Sequence, residues 1–590
     1  MARRGLAIIF TLLGVAFFIS LAGFVALYFL FGREPSVPSN ALLTLAVGGD
    51  LAEVAPSDVV SYVRGSRTPT VRTVVDTLRK AKVDRRVDAV LLKSTGFTTP
   101  FWGKVQEIRD AVIDFRTSGK PVYAYLEYGG DRDYYLASAA DKVFLMPSSP
   151  LELTGVATYE VFLRGTLDKF GVYPDLHHIG EYKTASNTFT EKGFTAAHRE
   201  MDIALNRDLY DQIVRGIAES RQRTEAEVRT LLDEGPFLPE TAKQAGLIDE
   251  IAYEDQVVAK LREARPDATR DLDGEDYAGV ALSSLGLNKG PRIAVIYAAG
   301  AIVSGKNGYD PLNGATVGSD TLIEYIRRAR KDSTIRAIVL RIDSPGGSAA
   351  ASDAIWRELM IAKTERRDRP IVASMSDLAA SGGYYIAMPA EAIVAQPSTL
   401  TGSIGIFGGK FVTGGVYEKL GASIDSTSIG KHAEMNSPVR PYNTEELKKV
   451  EEQLRAFYDD FVKKAAESRH STSAEIDRLA QGRVWTGQQA KAVGLVDALG
   501  GLERAVSVAK ERAKIPADND VELVAYPPRK MLYELITEEF SGGNQASAIS
   551  TWMAANLSSG EIEALRGIRG PATMFRRGEA LALMPFRFLR

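Results

Sequence analysis

"LRKAKVDRRVDAVLL" (residues 78–92) returns 248 residues later as "IRRARKDSTIRAIVL" (326–340), with Ala81, Asp84, Ala89 and Leu92 falling on Ala329, Asp332, Ala337 and Leu340. Three further blocks keep that spacing to within two residues. "AESR" at 218–221 recurs at 466–469, "AKQAGLID" (242–249) becomes "AKAVGLVD" (490–497), and "YYLASAADKV" (134–143) becomes "YYIAMPAEAI" (384–393) at an offset of 250. Chance does not hold offsets of 248 to 250 across four separated blocks, so the chain is a tandem duplication. In the second copy, "TLIEYIRRARK" has helical spacing and lies between the β-rich runs Ile293–Tyr297 and Ala337–Ile342, and "PIVASM" is the next strand. Strand–helix–strand alternation predicts an α/β fold with right-handed crossovers. The expected organisation is an anchor over 1–40, one repeat over 41–285, a second over 286–515, and an extension over 516–590. A polar, glycine-containing join near Asp271–Gly290 separates the repeats, and the extension has no counterpart in the first copy. It ends in "LALMPFRFLR", either a docking tail or a weak membrane contact.

At 590 residues the chain exceeds one ordinary core, and 45% apolar with 25% charged residues is globular composition. A net charge of −3 offers no basic field for nucleic acid. Cysteine is absent, which excludes disulfides, thiolate metal sites and a cysteine nucleophile. From Leu6 to Phe31 there are 26 residues without a charge, preceded by Arg3 and Arg4. As a helix they span roughly 39 Å, enough for one tilted pass of a ~30 Å hydrocarbon core. The flanking arginines favour N-terminus in and the body outside, which in a bacterium is the periplasmic side of the inner membrane.

Two strand-to-helix turns carry the candidate chemistry. "RIDSPGGSAA" (341–350) and "SDLAASGGYY" (376–385) each strip the backbone to glycine, the first leading into a helix expected near Ser352. If neighbouring turns converge on one sheet edge, the N–H groups of Gly346 and Gly382 can stabilise the oxyanion formed when Ser381 attacks a carbonyl. The base is not adjacent. Of His177, His178, His198, His432 and His470, read as ordinary surface histidines, only His432 lies in the second copy near a glycine-marked loop. Aligning Gly180 with Gly430 pairs Lys183 with Ala433, and the same offset pairs Ser381 with Asp131. Copy one has the lysine and no serine, and reads "LKSTGFTT" where copy two has Pro-Gly-Gly. One site built from two degenerate halves explains that divergence. A lysine base must be neutral, which requires burial, and a hydroxyl such as Ser403 in "TGSIGI" can orient its amine. Lys431 and His432 are the rival bases.

"SPGG", "AASGGYYIA", "PSTLTGSIGIFGG" and "GEYKTASN" behind an N-terminal span resemble, over nearly the whole chain, the long form of the signal peptide peptidase A (protease IV) family. The resemblance implies two tandem ClpP/crotonase-like domains behind a transmembrane helix, and a Ser–Lys dyad peptidase. It implies Ser381 as nucleophile, Lys183 as general base, Ser403 as the lysine's partner, and Gly346 and Gly382 as oxyanion hole, with no metal or cofactor. Its substrates would be signal-peptide remnants and other hydrophobic peptides, and its assembly a homotetramer at the membrane. Two other classes stay open: a crotonase-type acyl-CoA enzyme, although nothing basic is placed for CoA phosphates, and an inert membrane scaffold.

Overall fold

Each copy repeats the same turn before its second strand, and the quoted stretches show why. Helices Val71–Val83 and Ser319–Lys331 bury one apolar stripe each, Val74, Leu78 and Ala81 in the first and Leu322, Ile326 and Ala329 in the second. Both end at an aspartate whose N–H still donates into the last helical turn, Asp84 to Lys80 O and Asp332 to Arg328 O. Each carboxylate then accepts a backbone N–H two residues on, from Arg86 (3.0 Å) and Thr334 (2.9 Å). This Asx turn reverses the chain into strands Val87–Phe97 and Ile335–Ser344. Ala89, Leu92, Ala337 and Leu340 are buried there.

The structure, a computed structural model, describes residues 35–54, 70–310, 314–528 and 580–585, with residues 14, 15, 17, 18, 21, 23, 588 and 589. The expected span Leu6–Phe31 lies outside the described residues apart from six helical positions. Among the described residues no helix is long and apolar enough to cross a membrane. The first sheet is parallel, in the order Arg270–Asp273, Ala41–Gly49, Val87–Phe97, Val122–Leu126, Lys142–Leu145, Glu250–Ile251. The second repeats that order with Glu522–Tyr526, Arg292–Ala299, Ile335–Ser344, Ile371–Ala380, Ala392–Ala395 and Ala498–Leu499. The chain therefore carries two tandem α/β domains.

One expectation needs correction. The stretch past 515 does have a counterpart in copy one, because Glu522–Tyr526 lies on Arg292–Ala299 as Arg270–Asp273 lies on Ala41–Gly49. The polar join Asp271–Gly290 is packed against the first copy. Its polar sequence hides the buried Tyr277, whose hydroxyl donates to Asp84 (3.0 Å), while Lys80 Nζ donates to the Tyr277, Ala278 and Val280 carbonyls.

The copies share more than a boundary. Strand Tyr173–Ile179 of the first copy pairs antiparallel with Ile406–Val412 of the second along its whole length. Behind the turn that leads to Gly346, Arg341 pairs with Glu53 and Glu107 at 2.7 Å each, and all three side chains are buried. Lys104 Nζ contacts Asp343 (2.8 Å) and Asp377 (3.3 Å), and Asp377 also accepts the Lys104 N–H (2.9 Å). The charges in "RIDSPGG" and "SDLAASGG" thus face copy one. Arg341→Met leaves two buried carboxylates without their cation, a change that typically costs about 3–5 kcal/mol. Urea denaturation should show a loss of that order, and a loss below about 1 kcal/mol would contradict the role given to this cluster.

Candidate active site

Strand Ile371–Ala380 runs straight into Ser381, whose φ of 55° is in the left-handed region that side chains rarely adopt. Such a conformation costs on the order of 1–3 kcal/mol and needs support from its surroundings. Support comes from both sides: the Ser381 N–H donates to Gly402 O and its carbonyl accepts the Tyr385 N–H, each at 2.8 Å. Helix Gly382–Ala387 follows at once. A Cβ on Gly383 would stand 2.7 Å from the Ser344 carbonyl, so the sharp turn requires a bare residue there. The tyrosines that set the repeat register do the same work in each copy, with Tyr384 OH donating to Leu495 O (3.0 Å) and Tyr134 OH to Leu247 O (2.7 Å).

Lys183 arrives from the other copy. Strand Tyr173–Ile179, held by its pairing to Ile406–Val412, ends in a turn whose Tyr182 N–H donates to Gln481 O (2.7 Å). Gly482, at φ +78°, lies against the Lys183 backbone, where any Cβ would collide. A Cβ on Gly405 would come within 3.0 Å of Lys183 Cδ, so the lysine stem runs between two bare residues. Its Nζ lies 2.7 Å from Ser381 Oγ, 3.0 Å from Ser403 Oγ and 3.1 Å from Ser403 O. Lys183, Ser381 and Ser403 are all fully buried. Burial alone pushes the lysine's pKa well below its usual range, and no carboxylate offsets it. A neutral amine has two N–H donors and one lone pair. With the two donors on the Ser403 carbonyl and hydroxyl, the lone pair is left facing the Ser381 hydroxyl. That arrangement can take a proton from Ser381.

The two glycine turns meet beside this pair. A Cβ on Gly346, at φ +102°, would be 2.8 Å from the Gly382 nitrogen. The Gly346 N–H donates to Ser344 Oγ at 3.2 Å, the long end of hydrogen-bond range. The helix expected near Ser352 begins earlier, at Ala349, because Ser348 caps it by accepting the Ala351 N–H (3.2 Å). The rival bases lie elsewhere: His432 is exposed, and Lys431 is exposed and paired with Glu445 (3.0 Å). In the first copy, Asp131 takes the place of the serine and its carboxylate accepts the Thr154 and Gly155 N–H groups. Ala433, opposite Lys183, is exposed in a turn.

Three features of the site are not legible in the sequence. Gly405 and Gly482, which make room for the lysine, are ordinary loop glycines until the pairing of Tyr173–Ile179 is known. His198 is fully buried, contrary to the surface reading, and its Nε2 lies 3.0 Å from Glu160. Glu160, His198 and Asp202 are the described residues that could hold a metal ion, and their ligand atoms lie within 4.8 Å of one another.

The profile of peptidase family S49 matches residues 114–266 and 363–516, once in each copy. The chain is 37% identical over 498 residues to "Serine protease SPPA, chloroplastic" of Arabidopsis thaliana, covering 83% of this chain and 71% of that protein. It is 34% identical over 501 residues to "Protease 4" of Salmonella typhi, covering 82% and 79%. Among solved structures, a membrane protease specific for a stomatin homolog from Pyrococcus horikoshii is 16% identical, over 43% of this chain and all of that one, with a TM-score of 0.25.

The lysine's depressed pKa has a measurable consequence for stability. An unfolded lysine keeps its proton to about pH 10.4. Between the lowered folded value and that pH, the unfolded state binds more protons, so the stability of the parent rises with pH. Lys183→Met should therefore be more stable than the parent near pH 7, and the gap should close as pH approaches ~10.4. Denaturant titrations at several pH values check this, and a gap independent of pH would contradict a neutral buried amine.

Proposed function

The chain belongs to peptidase family S49 and is a serine peptidase, and from that premise we propose that it hydrolyses hydrophobic peptides with Ser381 as nucleophile and Lys183 as general base. The observation that carries this reading is the buried 2.7 Å contact between the Lys183 amine and the Ser381 hydroxyl. In the proposed reaction the amine takes the hydroxyl proton as Oγ attacks the peptide carbonyl, and the carbonyl oxygen becomes the oxyanion. Gly346 and Gly382 N–H groups stabilise that oxygen, for which Gly346 exchanges its long bond to Ser344. The protonated Lys183 then gives its proton to the leaving amine, and the acyl group on Ser381 is released by water activated in the same way. Ser403 orients the amine through both of its oxygens.

Signal-peptide remnants are the proposed natural substrates. A relative from Enterococcus faecium, 33% identical over 204 residues, carries signal peptide peptidase in its name, and the uncharged run Leu6–Phe31 behind Arg3 and Arg4 would hold the body at a membrane where such remnants lie. The proposed setting is the outer face of the bacterial inner membrane, as a homotetramer, on two ClpP/crotonase-like domains. The acyl-CoA enzyme and the inert scaffold are set aside by family membership.

Hydrolysis of a fluorogenic apolar peptide tests the assignment. Ser381→Ala and Lys183→Ala should each lower kcat/KM at least about a thousandfold, as loss of a member of a nucleophile–base unit does. Ser403→Ala should cost about 10–100-fold, as loss of an orienting partner does, and Lys431→Ala should change little. In the parent, kcat/KM should climb with pH through an apparent pKa below the usual lysine range, since the base works only unprotonated. Full activity in Lys183→Ala would refute the two-copy dyad, and full activity in Ser381→Ala would end the serine assignment.

A further inference from the structure

Helix Ala196–Arg221 begins beside the candidate active site, where Met201 shares an apolar cluster with Ala380, the residue before Ser381. In the same two turns stand His198 and Asp202, four residues apart and therefore neighbours on one helix face. Glu160 meets them from the loop after strand Thr158–Tyr159. The Nε2 of His198 lies 3.0 Å from Glu160 Oε2, and ligand atoms of all three residues lie within 4.8 Å of one another. Clusters of acidic side chains on a surface are commonplace, but this one is interior: the His198 and Glu160 side chains are 1% and 3% exposed, and Asp202 is 5% exposed.

A histidine nitrogen 3.0 Å from a carboxylate would ordinarily be a hydrogen bond. Here the approach is off the line of one, and His198 Nε2 makes no hydrogen bond among the described residues. The ring is set edge-on against Phe194 and Phe162, with centroids 4.9 Å and 6.1 Å apart. Its other nitrogen, Nδ1, lies 3.5 Å from the side-chain amide of Asn187. With the amide carbonyl turned toward it, Nδ1 keeps the proton and Nε2 presents a lone pair to the carboxylates. A lone pair facing carboxylate oxygens is repelled unless a cation lies between them. Histidines that bind metals ordinarily donate their second N–H to an outer partner in this way. The i, i+4 spacing of His198 and Asp202 is also the one by which a single helix offers two ligands to one zinc ion. Ligand atoms about 2.1 Å from a tetrahedral zinc stand roughly 3.4 Å apart, close to the separation already seen between His198 and Glu160.

We propose that Glu160, His198 and Asp202 bind a divalent cation of the zinc type, with Asn187 orienting the histidine. One imidazole and two carboxylates suit such an ion, and around a dication the set carries no net charge. The chain has no cysteine, so nitrogen and oxygen ligands alone would hold it. The cation's task is structural. It joins the loop at Glu160, helix Ala196–Arg221 and, through Asn187, the turn that follows Lys183 by four residues. That loop and turn already touch, the Leu163 N–H donating to Thr188 O at 2.6 Å. The cation takes no part in the proposed Ser–Lys reaction, and its site stands or falls independently of that reading. An ion that binds the folded chain and not the unfolded one raises stability by mass action, so added zinc should raise the unfolding temperature.

The test titrates Zn2+ into the full chain in detergent after treatment with a chelator, by calorimetry, with circular dichroism reporting the fold. The parent should bind one ion per chain with a Kd of about 10 μM or tighter, and its unfolding midpoint should rise with zinc concentration. Asn187→Leu, which keeps all three ligands, should weaken binding about 10–100-fold, and His198→Ala and Asp202→Asn should weaken it further. His177→Ala, whose ring pairs with Asp175 outside the cluster, should bind as the parent does. Unfolding on chelation that zinc reverses in the parent but not in Asp202→Asn would support the proposal equally. Zinc binding weaker than about 10 μM to the folded parent would overturn it. So would binding that Asp202→Asn and Asn187→Leu leave unchanged, because the ion would then sit elsewhere; those two variants decide the matter if His198→Ala does not fold.

Discussion

Taking an ammonium out of water without a nearby carboxylate is costly, so burial shifts a lysine such as Lys183 toward its neutral form. Lys183 is in that position, and much of the surrounding architecture serves to put it there. Its stem needs a channel, which Gly405 and Gly482 supply by lacking side chains. Its two N–H groups need acceptors, which Ser403 provides with one hydroxyl and one carbonyl. Its backbone needs a fixed approach to the second copy, which the pairing of Tyr173–Ile179 with Ile406–Val412 provides. The hydroxyl that remains within reach is that of Ser381, held at a strained turn.

On the proposed dyad, the same constraint accounts for the opposite divergence of the two copies. A site assembled across copies needs the lysine once and the serine once. The second lysine position has become exposed Ala433, and the second serine position has become Asp131, a carboxylate occupied by the Thr154 and Gly155 N–H groups. Alignment of the halves then matters to within a fraction of an ångström. The buried clusters Arg341–Glu53–Glu107 and Lys104–Asp343–Asp377 lie behind the two glycine turns and tie them to copy one. Buried ion pairs add little net stability compared with apolar packing, but they penalise misalignment strongly, because a shifted partner leaves a charge unpaired.

Much of this was legible in the sequence, for reasons that particular residues make clear. Asp84 and Asp332 could be matched because each ends a helix and caps the next turn, a local task that preserves residue type and spacing. Tyr134 and Tyr384 anchor the register through the same hydroxyl bond in both copies. That register is what set Lys183 opposite Ala433 and pointed away from Lys431. What could not be read was non-local. Tyr277 stabilises a stretch that looks like a polar linker, because its partners Asp84 and Lys80 are about 200 residues away in sequence. The strand Leu581–Leu583 is too short to carry periodicity, and its two neighbours in the sheet, Gly346–Ser348 and Ile406–Val412, are both distant in sequence. His198 looked like a surface histidine because nothing in the sequence placed Glu160 beside it.

The central claim is that the lysine of one copy activates the serine of the other, and covalent labelling reads it without depending on the choice of substrate. The full chain is treated with a fluorophosphonate, the modified residue is located by peptide mass mapping, and the rate is followed in the parent and in Lys183→Ala. The account predicts modification at Ser381, at a rate that rises with pH in the parent and falls by orders of magnitude in Lys183→Ala. Modification at another serine, or labelling of Ser381 at an equal rate without Lys183, would contradict it.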